Sequence, residues 1–276
     1  MNCKICESED IKRFKIGKVE LLFCPKCQIF FNREFPSIEI INNYYTSEFS
    51  PTADDLQMIE HRRFLLHPEQ LWLLKLIKTY KPPPAKLLDF GCDRGYFIDE
   101  ARRFGYDVTG VELSEKARSY CSKIDLKNYK TINEIDETFD IVTMWHTLEH
   151  LPEPLRFLKD LQKRLNNEGF LFIRVPNFGS FWRRLLKSKW IWFQPENHLF
   201  HFTKKSLKNL LSIAEYEVLL IKQRKANNLI TLLAGLLSLK IHFKEEKFSK
   251  KLKEIIKLHY EFVTGAEILA IGRKKL

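Results

Sequence analysis

Two groups of residues have both the types and the spacing for chemistry. Four cysteines are paired as Cys3-x-x-Cys6 and Cys24-x-x-Cys27. Each such turn presents two thiolates on one side, and two turns complete a tetrahedral site with no open position, so the spacing predicts a structural zinc ion. Iron is the minor alternative, because four thiolates also suit it. The second group is Lys86-Leu-Leu-Asp-Phe-Gly-Cys-Asp-Arg-Gly-Tyr-Phe97, a short apolar run that ends in an acid and passes two glycines four apart. Gly91 and Gly95 allow positive φ and close backbone approach to a ligand at the start of the following helix. Glu112 ends the next apolar run about twenty residues later, where Rossmann-like sites place a ribose-binding carboxylate. Asp93 stands at the middle glycine position of that pattern. A carboxylate there repels phosphates, which argues against a dinucleotide and permits a cationic ligand.

Histidines form a third group. His146-Thr-Leu-Glu-His150 has the letters of an inverted zinc-peptidase motif, which needs one long helix. It follows a strand end directly and meets Pro152 and Pro154, so that helix is not available and the reading is rejected. His198 and His201 lie in Gln194-Pro-Glu-Asn-His-Leu-Phe-His-Phe-Thr203, after the fifth strand of the pattern below, on the side of an open sheet where substrates gather.

The elements that must position these groups follow from periodicity. Lys12–Ile16 and Val19–Phe23 read as a hairpin turning at Gly17-Lys18 between the cysteine pairs, and Gln28–Asn32 as a strand leaving it. A module this short depends on its metal to fold. A short helix is expected from Pro36-Ser37 to Tyr45, then a polar loop to Asp55, then a long helical pattern over Glu60–Tyr80 that tolerates Pro68 and covers the ligand pocket. Beyond the stiff Lys81-Pro-Pro-Pro84 linker, strand and helix patterns alternate. Leu87–Phe90, Val108–Val111, Lys127–Thr131, Phe139–Trp145 and Gly169–Val175 are strands, and Tyr96–Phe104, Ser114–Lys123, Glu153–Asn166 and Thr203–Ala214 are helices. This is βαβ logic. Glu217–Lys222 and Ala266–Gly272 close the sheet as an antiparallel edge pair interrupted by an insertion. The expected organisation is a zinc-ribbon module over 1–35, a helical cap and linker over 36–84, and an α/β Rossmann-like domain of seven strands over 85–276, with lid insertions at about 178–200 and 226–262.

The glycine turn, with Glu112, resembles the first motif of the class I S-adenosylmethionine-dependent methyltransferases, Leu-Leu-Asp-x-Gly-Cys-Gly-x-Gly-x-Phe. The resemblance implies that Asp89, Phe90, Gly91, Asp93, Gly95, Glu112, Leu113, Trp145 and His146 surround S-adenosylmethionine, with Glu112 on the ribose hydroxyls. The departure is Asp93 for glycine, which either pairs with the ligand's ammonium or weakens binding. His146 to Pro154 resembles the His-x-x-x-His-Leu-Pro-x-Pro loop that lies against the cofactor in those enzymes. The segment at 194–203 resembles Glu-x-His-x-x-x-Phe of small-molecule methyltransferases and, more loosely, a segment of zinc-bearing sugar C-methyltransferases. By the latter likeness His198 falls on the presumed base and His201 on a tyrosine position; His146 completes the expected catalytic set. The whole is similar to the bacterial zinc-ribbon methyltransferases, type 23-like, linked to sugar or cell-surface glycan pathways. The implied activity is O- or C-methylation of a small, sugar-containing, anionic acceptor.

Composition bounds the rivals. The chain has 276 residues, 45% hydrophobic, with net charge +11, so it can build a full core and favours an anionic partner. Phe178–Phe193 interleaves Trp182, Trp190 and Trp192 with Arg183, Arg184, Lys187 and Lys189, without an acid. It suits an amphipathic lid, a nucleotide or RNA grip, or a lipid surface. An rRNA or tRNA methyltransferase is therefore one alternative, although no Asn-Pro-Pro-Tyr-type motif follows strand four. A non-catalytic module whose turn has decayed at Asp93 is the other. Leu229–Ile241 is too short to span a bilayer and reads as a cap helix, a dimer surface or a shallow membrane contact. Without a leader pattern or a spanning run the expected location is cytoplasmic, and four cysteines in Cys-x-x-Cys pairs with two alone suit metal binding in a reducing compartment.

Overall fold

The computed structural model describes residues 2–36, 40, 56–190, 192–223 and 267–275, with the backbone alone for 56–65. Apart from Pro36 and Ile40, the expected helix to Tyr45 lies outside them, as do the loop to Asp55, the Leu229–Ile241 segment and the insertion at 226–262.

The first strand of the main sheet, β4 (Lys86–Phe90), is central because Leu87 and Leu88 are fully buried between two layers. It pairs in parallel with β5 (Asp107–Val111) on one side and β7 (Phe139–Trp145) on the other. With β6 (Asn128–Tyr129), β8 (Leu165–Pro176), β10 (Tyr216–Gln223) and β11 (Glu267–Lys274) they form one sheet in the order β10-β11-β8-β7-β4-β5-β6. Strand β11 runs antiparallel to both β8 and β10, so the expected edge pair is present. Helices α1 (Leu56–Tyr80), α2 (Tyr96–Arg103), α3 (Glu115–Lys123) and α4 (Pro154–Leu161) join the strands, and Pro68 sits inside an unbroken α1. Ser114 caps α3 through the Ala117 amide, and Thr203 caps α6 (Lys204–Ile213) through the Ser206 amide, as their types predict.

One boundary differs from the sequence reading. The helix expected to reach Asn166 ends at Leu161, passes through one 3-10 turn, and gives way to β8 already at Leu165. Pairing of Leu165 with Phe139 across the sheet outweighs the helical pattern of its polar neighbours.

The N-terminal hairpin, β1 (Lys12–Ile16) and β2 (Val19–Cys24), turns at Gly17 with φ +58° and continues into β3 (Ile29–Asn32). Its sheet is closed by a strand from far along the chain: β9 (Phe200–His201) pairs with Phe30 and Phe31. Ile16 and Leu21 share a core with Phe178, Trp182, Trp190 and Phe193. The ribbon and the lid segment bearing α5 (Phe181–Leu186) are thus packed on each other.

Candidate functional site

The expected ligand turn is built by the ends of β4 and β5. The amides of Gly91 and Cys92 donate to Val111 O at 2.8 and 3.1 Å, and that of Asp93 to Glu112 Oε2 at 3.0 Å. Gly91, Asp93 and Gly95 all have positive φ, at +82°, +48° and +72°. Aspartate tolerates the left-handed region better than most residues, so Asp93 fits where the usual pattern has glycine. Its carboxylate lies 3.4 Å from Arg94 Nη1. The Ser114 amide donates to Glu112 Oε1 at 2.8 Å, which leaves each Glu112 oxygen a further lone pair. Burial raises the Glu112 pKa.

Asp89 is opposite Thr143 in the sheet register, and Thr143 Oγ1 donates to its Oδ1 at 2.7 Å. Burial pushes its pKa to about 7, with the Glu112 charge adding to the rise. Three carboxylates therefore line one turn, which suits a ligand bearing ammonium and sulfonium charges and disfavours a pyrophosphate. Trp145 packs edge-on to Phe97 at 5.2 Å, and its buried Nε1 has no hydrogen-bond acceptor among the described residues. The ring of Phe90 instead packs on Phe157 at 4.4 Å, so only its backbone belongs to the turn. Leu113 is half-buried, with its carbonyl 2.7 Å from Arg118 Nη1.

The histidine loop abuts that turn. A Cβ placed on Gly91 would lie 2.4 Å from Thr147 Oγ1. His146, at φ +54°, stacks on Trp192 at 4.6 Å and meets Glu267 Oε1 through Nε2 at 2.9 Å. Burial opposes a charge on His146, but Glu149 and Glu267 outweigh it and hold its pKa at about 9. Arg174 bridges from β8, its Nε lying 3.1 Å from His146 Nε2 and its guanidinium forming a short ion pair with Glu69 on α1. His150 and His198 meet edge to face at 4.8 Å. Burial lowers both pKa values, that of His198 to about 4, so both rings are neutral.

The sequence-predicted residues therefore divide. His146 and His198 are brought together near the turn, with Trp192 between them: its ring stacks on His146 and its carbonyl lies 3.0 Å from His198 Nδ1. His201 is elsewhere, hydrogen-bonded through Nε2 to Asn32 Oδ1 at 3.2 Å and buried between the ribbon and the lid aromatics Phe178 and Phe193. Sequence reasoning passed over Glu149, Glu267 and Arg174. Glu149 stood inside the rejected His-x-x-Glu-His pattern; the helix is indeed missing, since Leu148–His150 is one 3-10 turn, but the last two residues still converge with His198.

The four cysteines also converge. Cys3 and Cys27 Sγ are 3.9 Å apart and Cys6 and Cys24 Sγ 3.7 Å. Tetrahedral zinc with bonds of about 2.3 Å needs sulfurs about 3.8 Å apart, so the set fits that ion. The amides of Ile5 and Cys27 point at Cys3 and Cys24 sulfurs at 3.4 Å, further stabilising thiolates.

A seven-stranded sheet of this order, with an acid-lined turn after its first strand, is the fold shared by class I S-adenosylmethionine-dependent methyltransferases. Residues 59–221 match the family described as a methyltransferase domain, and the chain belongs to that family. Over 153 residues it is 29% identical to a ubiquinone biosynthesis O-methyltransferase of Coxiella burnetii, covering 51% of this chain and 65% of that protein. Over 105 residues it is 35% identical to the mitochondrial enzyme of the same description from Candida albicans, covering 33% and 32%. The likeness thus spans about two thirds or less of these relatives. A crystal structure of a SAM-dependent methyltransferase from Archaeoglobus fulgidus superposes with TM-score 0.56 at 20% identity, over 80% of this chain and all of that one, which establishes the shared fold. Among the described residues no helix is long and apolar enough to cross a membrane.

Proposed function

We propose that this chain transfers the methyl group of S-adenosylmethionine to a hydroxyl oxygen of a small-molecule acceptor. The observation that carries the reading is the contact of Gly91 with Thr147, which sets the histidine loop against the cofactor turn. Bound there, S-adenosylmethionine supplies a methyl group on a sulfonium, a good leaving group. An oxygen lone pair of the acceptor forms the new C–O bond, the C–S pair leaves on sulfur, and the hydroxyl proton must depart. The chain's contribution is alignment and charge. Glu112 and the close-approaching backbone of the glycine turn orient the ligand, Asp89 complements its cations, and the cluster of His146, Glu149, His150 and His198 faces the acceptor side, where the proton is lost.

Oxygen is chosen over carbon because the relatives are described as O-methyltransferases. Within that reading, a sugar-containing anionic acceptor remains the proposal drawn from the zinc-ribbon likeness, with the basic residues of 183–189 as its counter-charge. Zinc in the four-cysteine site is proposed as structural support. Radiolabelled methyl transfer to nucleotide-linked sugars, to acceptors of ubiquinone biosynthesis and to structured RNA tests the reading. Label on a small-molecule hydroxyl supports it; label on RNA alone, with steep salt dependence, replaces it with the nucleic-acid alternative.

A further inference from the structure

We infer that Glu149, His150 and His198 form a second metal site, distinct from the four cysteines, that takes a divalent transition-type cation such as zinc, manganese or iron(II). Only the role assigned to the ion below rests on the O-methyltransfer reading.

Glu149 is 1% exposed, and neither of its carboxylate oxygens accepts a hydrogen bond among the described residues. His146 Nδ1 lies 3.5 Å from Glu149 Oε1 without forming a hydrogen bond. A buried carboxylate left in this state is unusual, because native interiors satisfy such groups. Its immediate neighbours offer lone pairs. His150 Nδ1 lies 2.9 Å from Asn197 O, and His198 Nδ1 3.0 Å from Trp192 O. Carbonyl oxygens only accept, so each Nδ1 carries the hydrogen and each Nε2 carries the lone pair. One ligand atom from each of the three residues can be chosen so that all lie within 4.8 Å of one another.

Three residues that can each offer a lone pair lie within reach of one ion, and that combination favours a cation. Ring nitrogens tied back to main-chain carbonyls are also how metal-binding histidines are oriented. Two imidazoles and one carboxylate suit zinc, manganese or iron(II) and leave a coordination position open. Glu149 and His150 are neighbours in sequence and His198 comes from a distant segment, and the Leu199 amide, donating to Glu149 O at 2.9 Å, pins the two segments together. On the acceptor side of the methyl-transfer site, an acceptor hydroxyl fills the open position and loses its proton to water more readily, and His198 acts as a ligand rather than as the base.

Cobalt(II) titration of metal-stripped, reduced full-length protein tests this without any acceptor. The cysteine site reports through intense thiolate-to-cobalt charge transfer, whereas a site of two histidines and a glutamate has visible bands without it. Two equivalents are expected, and Glu149→Gln and His198→Ala should each take one, with the thiolate bands unchanged. A wild type that takes only the thiolate-bound equivalent overturns the inference, leaving water as the partner of Glu149. So does a second equivalent that survives both substitutions. Two equivalents with no hydroxyl methylation would instead refute the proposed reaction while keeping the site.

Discussion

The main-chain amide of Asp93 donates to the side chain of Glu112 at 3.0 Å, so the residue that breaks the glycine pattern and the carboxylate expected on the ribose form one unit. The bond uses the Asp93 backbone, which any residue supplies, and the cost of the left-handed φ falls on its Cβ. Asp93→Gly is therefore expected to bind S-adenosylmethionine within a few-fold of wild type and to be slightly more stable. Glu112→Ala leaves the Asp93 and Ser114 amides without their acceptor, and should weaken binding by about 1–3 kcal/mol. Calorimetry on both variants checks this; a large loss in Asp93→Gly would mark its carboxylate as the ligand's ammonium partner.

Asp89 gives a pH signature. Its folded pKa of about 7 lies above the unfolded value of about 3.9, so the fold holds a proton that the unfolded chain has released. Its contribution to stability is greatest below the unfolded value and declines as pH rises through about 7. A cationic ligand favours the ionised form, so affinity for S-adenosylmethionine should increase from pH 6 to pH 8 with proton release. Calorimetry in buffers of different ionisation enthalpy would show the release, and Asp89→Asn should abolish it.

Gly91 and Thr147 provide a packing test. At φ +82° an added Cβ is strained by about 1–2 kcal/mol, and at 2.4 Å it also strikes Thr147 Oγ1. Gly91→Ala should lower the denaturation midpoint, and Thr147→Ala, which removes the two nearest atoms, should recover part of that loss in the double variant. Additive effects of the two substitutions would show that the turn and the histidine loop are not coupled.

How much was legible follows from how local each feature is. The turn from Asp89 to Gly95 and Glu112 could be read because two adjacent strand ends carry all of it. The cysteine pairs could be read because each turn is self-contained. The convergence of Glu149 with His198 could not, since about fifty residues of β8 and lid separate them and a single 3-10 turn aims the glutamate inward. Nor could the pairing of β3 with β9, because a two-residue strand has no periodicity to detect.

That pairing extends the consequence of losing metal. Asn32 donates from its side chain to Pro195 O at 2.6 Å and from its amide to Leu199 O at 3.0 Å, so the ribbon holds the segment carrying His198. Protein purified without added metal should contain roughly one zinc in the four-cysteine site. Cys24→Ser should speed hydrogen exchange at Phe200 and His201 while leaving β4 and β5 protected. Uniform exchange throughout would mean that the ribbon is not tied to the lid.

His198 and His201, three residues apart, should separate cleanly. His198 faces Glu149 and His150, so if it serves the acceptor as proposed, whether by taking a proton or by holding a cation, His198→Ala removes that group. Loss of such a group costs about 10²–10⁴ in rate, and the effect should fall on turnover with affinity for S-adenosylmethionine nearly unchanged. His201 instead bonds Asn32 within a buried ring of aromatic side chains, 5.0 Å from Phe178 and 5.5 Å from Phe193. Burial holds its pKa far below the ordinary value, so it stays neutral throughout the working range. His201→Ala should therefore lower thermal stability and loosen β9, while the turnover of the folded fraction falls much less than in His198→Ala. The comparison uses rates normalised to folded protein, with S-adenosylmethionine affinity measured alongside. Full activity in His198→Ala would return that residue to a purely structural role, and a larger kinetic loss in His201→Ala would move the acceptor site toward the ribbon.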